Sequence, residues 1–219
     1  MSEWSTIWPV YTGAIGETLL MVAVTLVIGG LLGLVLGVAL YTTRRGGLLE
    51  NTVLYTVLNV AVNIVRPIPF IIFITAVGPL TLAVVGSTIG TAAAIFPLVI
   101  AATFGISRIV EQNLVTVEPG VIEAARAMGA GPLRIIVTVL IPEALGPLIL
   151  GYTFVFVSVV DLTAIAGAVG GGGLGDFAIA YGYHRFNWTV TWIAVITMII
   201  LVQLAQFIGN ALARKALRR

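Results

Sequence analysis

Apolar residues run through this chain in long stretches, with the polar positions gathered between them rather than alternating with them. A helix needs about 20 mainly apolar residues to cross a membrane, rising ~1.5 Å per residue through a ~30 Å hydrocarbon core. Five stretches are expected to span: Thr18–Tyr41, Leu54–Val77, Ile89–Ile106, Ala144–Ala164 and Val190–Ala211. The expected architecture is an all-α membrane protein with five transmembrane helices, forming a single transmembrane domain over residues 1–219. The glycine-flanked stretch Gly78–Gly86 is too short for a sixth span, so a re-entrant or surface segment is expected there. In the first span Gly29, Gly33 and Gly37 recur every fourth residue, which predicts a face for close helix packing.

Composition agrees. Of 219 residues 59% are hydrophobic and only 9% charged. A soluble domain carries about 25% charged residues, so this chain has too little polar surface to cover a globule in water. The lipid bilayer is its expected surrounding. No basic residue precedes the first apolar run, which is therefore expected to stay as a span and not to be removed as a signal peptide. Arg44, Arg45, Arg108, Arg126, Arg134, Arg214, Lys215, Arg218 and Arg219 all fall on one side of a five-span topology; only Arg66 and Arg185 do not. The positive-inside rule makes that side cytoplasmic, with the N-terminus outside. Topology thus accounts for the basic excess without nucleic acid. Trp4, Trp8, Tyr11, Tyr181, Tyr183, Phe186, Trp188 and Trp192 would form an outer aromatic belt.

One water-compatible region interrupts the apolar pattern, residues 108–142. Arg108, Glu111, Glu118, Glu123, Arg126 and Arg134 in it, with Glu143 directly after it, are seven of the chain's twenty formal charges, 11 basic and 9 acidic. Pro119 suits a first helical turn, Gly129 a left-handed helix end, and Pro132 the start of a second short helix. Glu123 is expected near the N-terminal end, with Arg126 on the same face. Pro142 is expected to break the second helix before the fourth span. Ala124, Ala125 and Ala127 leave little side chain, so a partner protein could approach the backbone closely. An amphipathic connector resting on the bilayer would look similar.

Other positions carry candidate chemistry. Arg66, followed by Pro67 and Pro69, is a charge in an apolar span, which marks either a pathway or gate facing a cavity, or an arginine that snorkels or pairs. Asn59 and Asn63 share a helix face and either line a polar stripe or bond between helices. Ser158 and Asp161 lie late in the fourth span; Asp161 would pair with a cation such as Arg66 or meet a substrate ammonium. The run Gly170, Gly171, Gly172, Gly173 and Gly175 falls in a predicted outer loop, where it permits close backbone approach or a flexible turn. It formally matches a dinucleotide fingerprint but lacks the required strand before it. His184 is alone, so no metal site is expected.

Glu123-Ala124-Ala125, Gly129 four residues after the second alanine, and Val139-x-Ile141-Pro142 resemble the EAA loop of ABC-importer permeases. Valine at 139 and isoleucine at 141 depart conservatively from that pattern. "NIVRPIPFIIF", "LIPEALGPLI" and "GAVGGGGLGDFAIAYGYHRFN" extend the resemblance to the permease subunit of D/L-methionine ABC importers. The resemblance implies a homodimer in a bacterial plasma membrane that imports methionine. It implies an extracytoplasmic binding protein or lipoprotein, and two separate ATP-binding subunits holding ATP and Mg, with no cofactor in this chain. Glu123, Ala124, Ala125, Arg126, Met128, Gly129 and Pro142 then become the coupling contacts. Permeases for polar amino acids, glycine betaine or phosphonates share the loop, so the solute is less fixed than the mechanism. An ion-coupled carrier would have to rely on Asp161, and a non-transporting assembly would leave the EAA spacing unexplained.

Overall fold

The structure is a computed structural model that describes residues 2–217, with side chains from Ser5 onward. The Trp4 side chain of the expected aromatic belt, and Arg218 and Arg219 of the basic cluster, lie outside the described residues. Every regular element among the described residues is helical. Helix α1 (Ser2–Val24) passes through a π-helical turn (Thr25–Gly29) into α2 (Gly30–Thr43). A loop leads to α3 (Thr52–Val65), followed by α4 (Phe70–Ala76), α5 (Gly78–Val85) and α6 (Thr91–Val115). Next come α7 (Pro119–Ala127), α8 (Pro132–Ile135), a π turn (Ile136–Leu140), α9 (Ile141–Glu143) and α10 (Leu145–Ala166). A further π turn (Gly167–Gly171) leads into α11 (Gly173–Asp176), and α12 (Trp188–Leu217) closes the described chain. Among the described residues four helical stretches are long and apolar enough to cross a membrane, and the broken pair α3–α4 makes five if it counts as one span.

Three expected boundaries move, each for a physical reason. The first apolar helix covers Ser5–Thr43, 39 residues, and begins well before Thr18. Ala14 on α1 is buried in a core with Leu174, Phe177, Val190 and Ala194, so tertiary packing holds the early turns. The expected second span, Leu54–Val77, is two helices. Pro67 and Pro69 lack N–H groups, and α3 ends at Arg66, whose N–H still bonds the Val62 carbonyl at 3.0 Å. The third helix continues to Val115, past the expected end at Ile106. Ile106, Val110 and Leu114 recur every fourth residue and are fully buried, which keeps the helix running through the charges of Arg108 and Glu111.

The chain divides into two compact units. The first takes residues up to Gly29, Ile68–Ala102 and Phe156–Ala205; the second takes Gly30–Pro67, Thr103–Val155 and the chain from Gln206 onward. In the first unit α1 packs on α11 and α4 on α5. Tyr11 bonds Thr197 through their hydroxyls at 2.6 Å and stacks at a tilt on Phe177. Trp8, Tyr183, Phe186, Trp188 and Trp192 are exposed, as an interfacial belt needs.

In the second unit α2 presents its glycines to α6. A Cβ on Gly33 would meet Ile106 at 2.6 Å, and one on Gly37 would meet the Ser107 carbonyl at 2.5 Å and Val110 at 2.6 Å. The every-fourth spacing is therefore a packing face. Gly37→Ala is expected to destabilise the fold by about 1–3 kcal/mol through overpacking. Gly16→Ala, where a Cβ meets nothing within 4 Å, should leave it unchanged or slightly firmer. Thermal melts of the two purified variants check this pair.

Candidate functional site

The segment between α6 and α10 builds a short helix with one exposed face. Pro119 occupies the first turn of α7, with Glu118 as the N-cap residue in extended conformation and no side-chain capping bond. Glu123 therefore sits mid-helix and not at the N-terminal end as expected. The other end is closed by backbone alone. Gly129 N–H bonds the Arg126 carbonyl at 2.9 Å, and Ala130 N–H bonds the Ala125 carbonyl at 3.1 Å. That pair of bonds is a Schellman motif, and it requires the left-handed Gly129, φ +81°. Gly131 then caps α8, and Pro132 opens it. Both short helices arise where the prolines and glycine direct them.

Glu123, Ala124, Arg126, Ala127, Met128 and Gly129 are exposed, and Met128 is 82% exposed. Ala125 departs from the expectation: it is buried, on a helix that packs on the Ile136–Leu140 turn. Its small side chain serves that internal contact, while Ala124 and Ala127 remain open. Beneath α7 lies a crevice of about 150 Å³ whose lining includes Tyr41, Arg44, Gly47, Ile122, Glu123 and Arg126. Arg126 donates to the Gly47 carbonyl at 3.4 Å, and Arg44 lies 4.1 Å over the Tyr41 ring. Glu50 accepts from Gly46 N–H at 3.1 Å, and Asn51 caps α3 by accepting from Leu54 N–H at 3.0 Å. The loop after α2 thus takes part in seating α7. The sequence signal was there in Gly46-Gly47 beside two arginines, but topology alone had claimed those residues.

Pro142 is exposed and lies within α9; the break before α10 comes at Ala144, where ψ is near 0°. The π turn absorbs the missing proline donor, with Ile141 N–H reaching back to the Ile136 carbonyl.

A polar cluster joins α3 to α6 within the second unit. Arg108 donates through Nη2 to Asn59 Oδ1 at 2.8 Å and to Asn63 Oδ1 at 2.7 Å. Its Nη1 donates to Glu111 at 2.5 Å, an ion pair whose side chains are 16% and 10% exposed. Asn63 also donates to Asn59 at 3.4 Å. The asparagines therefore bond between helices. Arg108 and Glu111, expected in the water-compatible loop, lie inside α6. Asparagines four apart and an Arg–Glu pair three apart in apolar runs were the readable signal. Arg66 and Pro67 are exposed at the end of α3 in the second unit. In the first unit Pro69 is exposed as the N-cap of α4, Ser158 is half-buried and Asp161 is exposed on α10.

The glycine run is a buried turn, so of the two expectations close backbone approach holds. Gly171, Gly173 and Gly175 are buried, and Gly170, Gly172 and Gly173 take positive φ. Gly173 N–H donates to Glu17 at 2.6 Å and Leu174 N–H to the Thr18 hydroxyl at 2.8 Å. A Cβ on Gly173 would meet Thr18 at 2.7 Å, and one on Gly171 would meet Ala94 at 2.9 Å. The close approach is to the chain's own α1 and α6. Burial, and then the nearby Glu17 carboxylate, push the Asp176 carboxyl above its usual range.

Comparison with known proteins places these features. Residues 29–218 match the family model described as binding-protein-dependent transport system inner membrane component. The chain is 48% identical over 199 residues to a probable D-methionine transport system permease protein of Vibrio cholerae, covering 91% of this chain and 88% of that one. It is 42% identical over 171 residues to a methionine import system permease protein of Bacillus subtilis, covering 78% and 77%. A solved structure titled as an inward-facing conformation of a methionine ABC transporter superposes with a TM-score of 0.93 at 40% identity, covering 99% of both chains.

The cap of α7 carries a local prediction. Gly129→Ala forces a side chain into left-handed backbone and is expected to weaken the cap by about 1–2 kcal/mol. Amide hydrogen exchange over 125–131 should quicken in that variant, with exchange in α6 unchanged.

Proposed function

Because the chain belongs to the family of binding-protein-dependent transport system inner membrane components, we propose that it is the permease subunit of an ATP-driven methionine importer. Two copies form the translocation pathway in a bacterial plasma membrane. Each copy spans five times, counting α3–α4 as one broken span, with the N-terminus outside. Arg44, Arg45, Arg126, Arg134, Arg214 and Lys215 then mark the cytoplasmic side. ATP and Mg belong to two partner ATP-binding subunits, and an extracytoplasmic binding protein delivers the solute.

The observation that carries this reading is the shape of α7. It is a slim helix with an exposed Glu123-Ala124 edge, an exposed Met128 and a fixed glycine cap, seated on the loop after α2 by Arg126. A helix so presented fits a groove on another protein, and a fixed cap transmits displacement instead of fraying. Of the polar candidates for the pathway, Arg66 at the end of α3 is exposed, whereas Asn59 and Asn63 are taken up by Arg108. In a spanning segment such groups persist where they face protein or a water-filled cavity.

The purified chain alone is expected to hydrolyse no ATP. With its ATP-binding subunit and binding protein in proteoliposomes, it should take up methionine only when ATP is supplied. Glu123→Ala should lower that uptake by roughly tenfold, about 1.4 kcal/mol of lost coupling, while the assembly still purifies. Uptake that survives ATP depletion and collapses with an ion gradient would contradict the proposal.

A further inference from the structure

We propose that Arg108 is a positioning residue that latches α3 to α6. The inference rests on the permease reading and adds a role that the coupling segment does not explain. Of the fourteen residues of α3 only Val62 is buried, and Val53, Val57 and Ile64 are 76%, 60% and 62% exposed. The start of the helix is tied to α2 through Asn51 N–H on the Thr43 carbonyl at 2.9 Å. Farther along, Asn59, Val62 and Asn63 share one face, and the arginine of α6 takes both asparagines there.

In lipid the hydrophobic effect does not drive helices together, because tails are as apolar as leucine. A helix with one buried residue is then held by packing and by polar bonds. The Arg108 fork supplies two of them at once, through Nη2 to the amides of Asn59 and Asn63, while Nη1 bonds Glu111 on its own helix. Glu111 neutralises the guanidinium within the same helix, so the pair can remain in a spanning segment. Such bonds are directional: α3 is either in register with Arg108 or released. Its far end carries Arg66 and Pro67, so the latch sets where that end sits within the second unit. An ammonium cannot reproduce the fork, which makes Arg108→Lys the discriminating substitution.

The chain has no cysteine, so a single introduced one is a unique spin-label site in each copy. Labels at Thr56→Cys on α3 and, separately, at Leu204→Cys on α12 are read by electron paramagnetic resonance in the full complex, with its partner subunits made cysteine-free. Arg108→Lys is expected to add a mobile component at position 56 and leave position 204 unchanged. Asn63→Ala, which removes one exposed acceptor, should do the same to a smaller extent and keeps the test available if Arg108→Lys fails to assemble. Asn63→Ala added to Arg108→Lys should produce little further change, since both break one connection. ATP-driven uptake should fall by roughly tenfold in Arg108→Lys, the scale of one lost charge-assisted hydrogen bond. An unchanged spectrum at position 56 in either assembled variant overturns the latch, and so does equal loosening at both positions. The label reports on α3 whatever the solute, so failure of methionine uptake in the unsubstituted complex would sink the transport reading without touching this one.

Discussion

Every backbone N–H and C=O in the apolar part of this chain must find its partner inside the protein, because hydrocarbon offers none. That constraint explains why the regular structure of the described residues is helical and why two of its irregularities come with a local repair. Where Pro142 removes a donor, the preceding turn widens to a π turn and Ile141 reaches back five residues to Ile136. Where the glycine run departs from helix, Glu17 and Thr18 of α1 accept the freed N–H groups of Gly173 and Leu174. Thr42, Thr43 and Thr163 return their hydroxyls to carbonyls of their own helices. The breaks in the helices are thus bonded features.

The same constraint governs side chains. Arg108 can lie inside α6 because Glu111 neutralises it and two asparagine carbonyls take its remaining Nη2 donors. Close packing supplies the rest of the cohesion: Gly33 and Gly37 let α2 approach α6 to a distance no side chain would permit. Small residues and a few polar bonds do here what an apolar core does in water.

Much of this was legible in the sequence. Apolar run length located the long helices, and Pro119, Gly129 and Pro132 located both short helices, because those residues act through local backbone geometry. What depended on tertiary context was not legible. Charge density moved Arg108 and Glu111 into a loop, since a hydropathy pattern counts charges and cannot see that two of them cancel. The start of α1 was missed because its early turns are held by Leu174 and Phe177, more than 150 positions away. What the glycine run approaches was not legible, because nothing near it in sequence announces Glu17 or Thr18. Ala125 looked like its neighbours 124 and 127, and only helical phase against the Ile136–Leu140 turn turns it inward.

In the proposed reading the exposed α7, capped by Gly129 and seated by Arg126, is the handle through which a partner's ATP cycle would reach the bundle. Contact at that handle is the central claim. Met128→Cys, at a residue 82% exposed and giving the only thiol in the chain, is to be tested for cross-linking to the ATP-binding subunit with a short bifunctional reagent. The account predicts an efficient adduct from position 128 and none from Val57→Cys on α3. No adduct from position 128 in an assembled, transporting complex would contradict it.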